Sequence, residues 1–288
     1  MQLFRHRSYL VLGVLALATL GIWAATFAEG ARGVLTVAIL DVGQGDSIFI
    51  ESPTGVQVVV DGGPDSSLLR ELPLVMGAFD RSLNAIVETH PDADHIAGFV
   101  DLVDRYEVGA FIEPGITKDT LTWAALQKKV AAQEIPHLLA RRGMVLQLGG
   151  GVNLEVLYPD TDVSTLSPNK ANEGGVVMKL TYGEATMLLM ADVSSKVETY
   201  LVGLDGAVLD TDLLKVGHHG SRTSTSDMFV KSVTPAAAVI SVGGDNSYGH
   251  PTSDVLNTLQ SNSVPVLRTD EEGTIVFISN GGEFVRVK

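Results

Sequence analysis

Short apolar runs separated by glycine-, proline- and aspartate-rich turns open the chain proper. Val34 to Leu40 is β-rich and ends at Asp41-Val42-Gly43-Gln44-Gly45-Asp46; Ser47 to Glu51 and Val56 to Val60 follow, the last stopping at Asp61-Gly62-Gly63-Pro64. Such runs, bounded by turn residues, read as an antiparallel meander. A helix is predicted over 66–79, a buried strand over 84–88, a helix over 96–106 and a strand over 108–112. The next helix, 120–133, takes Asp119 or Thr120 as its cap. Strands are then predicted over 138–148, 154–158, 176–182 and 185–190, the last two joined as a hairpin across Gly183-Glu184. Helices over 194–202, 224–233 and 251–261 alternate with strands over 209–216, 236–241 and 264–267, and a hairpin through Gly281-Gly282 closes the chain. Strands dominate first and strand–helix alternation follows, with no repeat or long linker. Two mixed sheets face to face with helices outside satisfy that order, an α/β (α+β) class in one domain over 34–288.

Ahead of this domain, residues 1–30 read as a signal anchor. Tyr9 to Ala28 carries no charge, and a helix needs about 20 apolar residues to cross a bilayer. Arg5, His6 and Arg7 precede it, which keeps the N-terminus cytoplasmic and exports the rest. A cleaved signal peptide is the competing reading. Its apolar region is usually only about 7–15 residues long, and Thr26-Phe27-Ala28 is a poor cleavage site, so the anchor is preferred. The expected location is the cell membrane, single-pass, with the C-terminal domain outside the cytoplasm.

Cysteine is absent from the 288 residues, so disulfides and thiolate metal sites are excluded. The formal charge of -14 argues against nonspecific binding of polyanions over the whole surface. It leaves local phosphodiester chemistry open, because dications offset negative charge at a site.

Thr89-His90-Pro91-Asp92-Ala93-Asp94-His95 concentrates the candidate chemistry. Side chains at i and i+2 of an extended segment share a side, so His90, Asp92 and Asp94 converge, and His95 joins them if the chain turns. Nitrogen and oxygen donors gathered at a strand end suit a divalent transition metal such as zinc or manganese. Of the seven histidines, His6 precedes the apolar segment and His137 lies in an apolar strand. The other five, His90, His95, His218, His219 and His250, each stand at or beyond the end of a predicted strand, as does Asp192. Singly, each has a bland alternative: Asp192 as a helix cap, Asp61 as a turn residue, His250 as a cap before Pro251. Jointly they outline one rim of a sheet.

These motifs carry a resemblance. His90-x-Asp92-x-Asp94-His95 with later Asp192 and His219 resembles the metallo-β-lactamase superfamily. Leu40 to Asp46, Thr89 to His95, Leu214 to Ser221 and Tyr248 to Pro251, in that order, resemble its ComEC-type branch, the extracytoplasmic hydrolase domain of a competence protein for DNA uptake. The match runs from about Val34 to the C-terminus; the multi-helix channel region of the full competence protein has no counterpart. The resemblance implies a four-layer αββα sandwich with two divalent metal ions at one edge. It assigns His90 and Asp92 to the first ion, Asp94 and His95 to the second, and Asp192 between them, with His219 and His250 completing the set in either order. Asp92 stands where most of the superfamily has a second histidine. The ligand histidine usually found before Asp192 is also missing, with Asn169 and Asn172 in that region. The first site is therefore poorer in nitrogen, richer in oxygen and weak, which lessens the preference for zinc and admits manganese.

Metal-assisted hydrolysis follows, with a water of lowered pKa between two ions about 3.5–4 Å apart. Asp94 stands near the nucleophile, and His218 or His219 protonates the leaving oxygen. Asp41 and Asp61 are candidate acceptors behind the ligand imidazoles, and Lys215 and Ser221 candidate contacts for a substrate anion. The expected substrate is a phosphodiester, DNA foremost, with DNA-uptake components as partners. The alternatives are a phosphodiesterase or esterase on small cell-envelope substrates, and a non-catalytic anchored adaptor with a vestigial site.

Overall fold

The computed structural model describes residues 12–19, 21, 33–77 and 79–288. Strands β1 (Leu35–Ile39), β2 (Ile48–Glu51) and β3 (Gln57–Val60) form the expected meander, with Val37 opposite Ile50 and Phe49 opposite Val59. Helix α1 (Leu68–Val75) and the short β4 (Ser82–Leu83) lead to β5 (Ala85–Val87), which pairs in parallel with β3. Helix α2 (Ala93–Leu102) and β6 (Glu107–Val108) precede β7 (Phe111–Glu113), then α3 (Leu121–Ala132) precedes β8 (His137–Leu139). β7 and β8 continue the sheet in parallel, while β4 and β6 pair apart as a ribbon.

The second sheet begins with β9 (Val145–Gly149), β10 (Val152–Tyr158), β11 (Val177–Tyr182) and β12 (Ala185–Leu189), all antiparallel. It then turns parallel through α4 (Ser195–Asp205), β13 (Leu213–Lys215), α5 (Asp227–Val233), β14 (Ala237–Ile240), α6 (Ser253–Ser261) and β15 (Val266–Arg268). β16 (Ile275–Ser279) crosses back to pair with β1, and β17 (Val285–Arg286) folds onto it as the closing hairpin. The orders are β17-β16-β1-β2-β3-β5-β7-β8 and β15-β14-β13-β12-β11-β10-β9.

Period-two alternation explains the layering. Val37, Ile39, Ile48, Ile50, Val58 and Val60 point inward and share one core with Leu154, Val156, Met178, Leu180, Met187 and Leu189 of the facing sheet. The outward set of the first sheet, including Ala38, Phe49, Val59 and Ile86, packs under α1 to α3 through Leu68, Leu72, Phe99 and Leu126. Leu188, Leu214, Ala238 and Ile240 do the same under α4 to α6 through Leu201, Phe229 and Leu259. Each fully buried Leu, Ile, Val or Phe side chain contributes about 1.5–3 kcal/mol of transfer free energy. The result is a four-layer αββα sandwich.

Three expectations change. The strand predicted over 138–148 is two strands on different sheets, β8 and β9, because Arg141-Arg142-Gly143 carries the chain across from one to the other. The helix predicted from 96 starts at Ala93, so Asp94 and His95 lie in its first turn. The strand predicted over 209–216 is only β13, preceded by a 3₁₀ turn over Gly206–Leu209. The expectation of a membrane-spanning helix over 9–28 falls mostly outside the described residues; residues 12–19 are helical, and no described helix is long and apolar enough to cross a membrane.

Candidate metal centre

Parallel pairing brings the carboxyl ends of β3 and β5, and those of β12, β13 and β14, to one edge of the sandwich. Asp61 follows β3, Thr89 and His90 follow β5, Asp192 follows β12, His218 and His219 follow β13, and Ser241 follows β14. Helix α2 is seated against that edge by a backbone contact that only glycine permits. Gly98 N–H donates to Gly63 O at 3.2 Å, and a Cβ on Gly98 would lie 2.0 Å from the Gly62 carbonyl oxygen. The close approach fixes Asp94 and His95 over the strand ends.

Asp61 organises the imidazoles. Its Oδ1 accepts from Thr89 N at 2.8 Å, and its Oδ2 accepts from Thr89 Oγ1 at 2.7 Å and from His95 Nδ1 at 2.8 Å. Because Thr89 Oγ1 donates to Asp61, it accepts from His90 Nδ1, 3.0 Å away. Both rings thereby keep a proton on Nδ1 and turn Nε2 to the edge, where a bound cation would take the place of any proton on it. Asp61 adopts a left-handed φ of 60° to do this, a conformation aspartate tolerates better than most residues.

Asp192 Oδ2 is the meeting point. His95 Nε2 lies 3.4 Å away, His218 and His219 Nε2 3.6 Å, and His90 Nε2 3.9 Å. His219 Nε2 is also 3.5 Å from Asp94 Oδ2. Its Nδ1 faces Ser241 O at 3.1 Å and Asp46 Oδ1 at 3.3 Å. Behind it, Asp46 Oδ2 accepts from Lys215 Nζ at 2.8 Å. His218 and His219 both carry left-handed φ, 50° and 53°; non-glycine residues held so cost about 1–3 kcal/mol each and gather at functional sites.

Burial opposes ionisation of these carboxyls, yet Asp46 and Asp192 sit well below the usual carboxylate range because Lys215 and His219, and His219 and His95, outweigh it. Asp94 is lowered to about 2, burial being outweighed by its bond to His219 and the charge of His95. Conversely, burial would depress the imidazoles, but Asp192 and Asp61 raise His95, and Asp192 and Asp46 raise His219 to about 10. His90 goes the other way: burial and the neighbouring His95 cation lower it. The edge is a concentrated negative field with imidazoles aimed into it.

The residues fit a divalent ion. Asp94, His95, Asp192 and His219 each offer one ligand atom, all within 4.8 Å of one another. The Nε2 atoms of His90, His95 and His219 and Oδ1 of Asp192 are buried with no hydrogen-bond partner. Orphaned buried lone pairs are costly unless a cation takes them. Two nitrogens and two carboxylates form a mixed donor set that suits zinc or manganese.

Several expected site residues stand elsewhere. Asp92 is the N-cap residue of α2 and pairs with Lys118; it stands outside the four-residue group, though its charge still acts on His90. Lys215, expected to meet a substrate anion, is wholly buried and instead neutralises Asp46. Ser221 is buried in a turn against Thr223 Oγ1 at 3.0 Å. Asp41 accepts from Gly43 N at 3.3 Å and touches no imidazole. Asp192 is not a helix cap, since Ser194 fills that position for α4. His250 lies outside the four-residue cluster, its ring centroid 5.7 Å from that of His218 and 5.7 Å from the stacked Tyr248. Asp46 and Thr89 lie in the sequence motifs and Ser241 at a strand end, but their support of His219, His95 and His90 comes from contacts that only the fold makes.

A family model described as the Metallo-beta-lactamase superfamily matches residues 40–244. The chain belongs to that superfamily. It is 31% identical over 263 residues to ComE operon protein 3 of Bacillus subtilis, covering 84% of this chain, and 30% identical over 247 residues to competence protein ComA of Neisseria gonorrhoeae, covering 85%. It spans about a third of the length of these curated relatives, 32% and 33%. Among solved structures it is similar to the metallo-beta-lactamase fold protein YhfI from Bacillus subtilis, at 14% identity and a TM-score of 0.56, over 85% of this chain and 100% of that one. The superfamily fold implies divalent metal ions, and the Asp94, His95, Asp192 and His219 cluster is where the chain gathers donors for one.

Proposed function

We propose that this chain is a metal-dependent phosphodiesterase, acting on DNA in an uptake-related role, anchored in the membrane by residues 9–28 with its sandwich outside the cytoplasm. One observation carries the metal-dependent hydrolysis: four imidazole Nε2 atoms lie 3.4–3.9 Å from a single buried carboxylate oxygen, Asp192 Oδ2. Asp94, His95, Asp192 and His219 would hold the principal ion. When bound, divalent metal supplies a water of lowered pKa and stabilises charge on the attacked phosphoryl group.

The remaining chemistry falls to the chain. Asp94, ionised and partly exposed, accepts a hydrogen bond from the attacking water and aims it. His219, expected to be either ligand or proton donor, is buried with both nitrogens turned inward. His218 is therefore the donor. Its side chain is 29% exposed, Nδ1 is 3.1 Å from Thr223 Oγ1, and Nε2, 3.6 Å from Asp192 Oδ2, is the atom that hands a proton to the leaving oxygen.

Support for DNA comes from the competence names of the relatives and from Tyr248, 68% exposed and stacked on His250 beside His218. An exposed ring at the rim offers a face for a nucleobase. The net charge of -14 favours a second reading, a phosphodiesterase for small cell-envelope substrates, because it repels long polyanions. A panel of single-stranded DNA, double-stranded DNA and bis-p-nitrophenyl phosphate, each with manganese and with zinc, decides. Cleavage of all three supports the first reading, and cleavage of the small ester alone supports the second. No metal-dependent turnover on any of them removes both and leaves the anchored adaptor.

A further inference from the structure

The acidic partner that the first ion would use is already matched with a cation of the chain itself. Asp92 Oδ1 is bonded to Lys118 Nζ, and both side chains are partly open to solvent, 27% and 23% exposed. Lys118 lies in the loop between β7 and α3, and that loop is pinned. Ile116, two residues earlier, is fully buried in a small apolar cluster with Val163, Ala171 and Leu166. The same cluster holds the 3₁₀ segment Pro168–Gly174 through Ala171. His90 contributes one nitrogen here, 3.9 Å from the shared Asp192 Oδ2. Among the described residues no group of donors gathers around His90 as tightly as the four around Asp192 Oδ2 and Asp94 Oδ2.

We propose that Lys118 is the resident cation of the first position: the chain holds one tight divalent ion, at Asp94, His95, Asp192 and His219, and the Lys118 ammonium supplies the second positive charge. This rests on the metal-dependent reading above. The physical ground is competition for one carboxylate. An ammonium bonded to Asp92 neutralises the carboxylate assigned to the first position alone, and it repels a dication brought within a few ångströms. An ammonium has three donors and no acceptor, so it satisfies Asp92 without itself becoming a ligand. The same charge, partly exposed beside the site, faces a non-bridging oxygen of a bound phosphodiester. The site is thus a metal paired with a lysine rather than a metal paired with a metal.

The test is metal stoichiometry, read by elemental analysis of the full chain and by titration with manganese after chelation and dialysis. The native chain is expected to retain one ion per chain and to bind a second only weakly. Lys118→Ala and Lys118→Gln, at a partly exposed loop position, are expected to keep the fold by circular dichroism and to bind the second ion about tenfold more tightly or better, on the Coulomb scale of a cation beside a dication. Turnover of bis-p-nitrophenyl phosphate at one bound ion should fall in both variants. Two tight ions in the native chain, or no change in the second affinity in both folded variants, overturns the lysine assignment and leaves the hydrolase reading standing. Retention of no ion at all overturns the hydrolase reading itself.

Discussion

Asp61→Asn separates charge from shape at the residue that sets both imidazole tautomers. The buried aspartate accepts three hydrogen bonds, from Thr89 N at 2.8 Å, Thr89 Oγ1 at 2.7 Å and His95 Nδ1 at 2.8 Å. In the variant the amide oxygen must keep the Thr89 backbone N–H, because the amide nitrogen opposite that donor would clash with it. The NH₂ group then replaces Oδ2 and faces His95 Nδ1 and Thr89 Oγ1. His95 answers by moving its proton to Nε2, and Thr89 Oγ1, accepting from the amide, turns its own proton to His90 Nδ1, which moves the His90 proton to Nε2 as well. Neither ring then presents a lone pair to an ion. Loss of a partner behind a ligand typically costs 10–100-fold in metal affinity, or about 1.4–2.7 kcal/mol. Stability without metal should fall by about 1–3 kcal/mol, the scale of a hydrogen bond left unmade in the interior. The assay is manganese and zinc titration by calorimetry, with thermal unfolding after chelation as the control for folding. Native affinity in a folded Asp61→Asn chain would refute the tautomer argument.

Gly98→Ala should lower stability by 3 kcal/mol or roughly more and weaken metal retention, since its Cβ would sit 2.0 Å from Gly62 O and push α2 off the strand ends; unchanged urea unfolding would contradict this. Tyr248→Ala should raise KM for an oligonucleotide about fivefold to a hundredfold, from the range of about 1–3 kcal/mol for a stacked base, and leave KM for bis-p-nitrophenyl phosphate unaltered; equal effects on both substrates would assign Tyr248 to the fold. Glu198 is a pH-sensitive support away from the metal cluster: burial raises its pKa despite the N–H groups of Thr225 and Ser226 that it accepts. A carboxyl raised on folding adds most stability below its unfolded value, here 4.5, and that contribution declines as pH rises through the folded value. Glu88 and Glu113 are raised by burial in the same sense, so the stability of chelated protein to urea across pH 4 to 7 should fall with pH, and Glu198→Gln should make that fall shallower; an unchanged slope in that variant would reject the assignment.

Much of the sandwich could be read from residue order. The β1 to β3 meander and the β11–β12 hairpin follow from alternation and turn residues, both of which are local. What failed was also local in origin. Arg141-Arg142-Gly143 interrupts an apolar stretch too briefly to register, yet it carries the chain between sheets. The extended Pro91-Asp92 pair is a helix entry rather than a continuing strand, so Asp94 and His95 reach the site from the first turn of α2 and not from a strand end. His90, Asp94, His95, Asp192 and His219 were legible because strand ends collect them. The role of Asp46, though it lies in a quoted motif, and the place of Lys118 were not: Asp46 owes its role to Lys215, 169 residues away, and Lys118 lies in a loop pinned by the apolar cluster around Ile116.

The most direct test of the account is the metal content of the dialysed full chain beside Asp192→Asn and His219→Ala. The arrangement around Asp192 Oδ2 predicts at least one divalent ion per native chain, and a loss of that ion in both variants while circular dichroism stays native. A native chain that keeps no ion, or variants that keep it unchanged, would show that these side chains meet for a purpose other than holding metal.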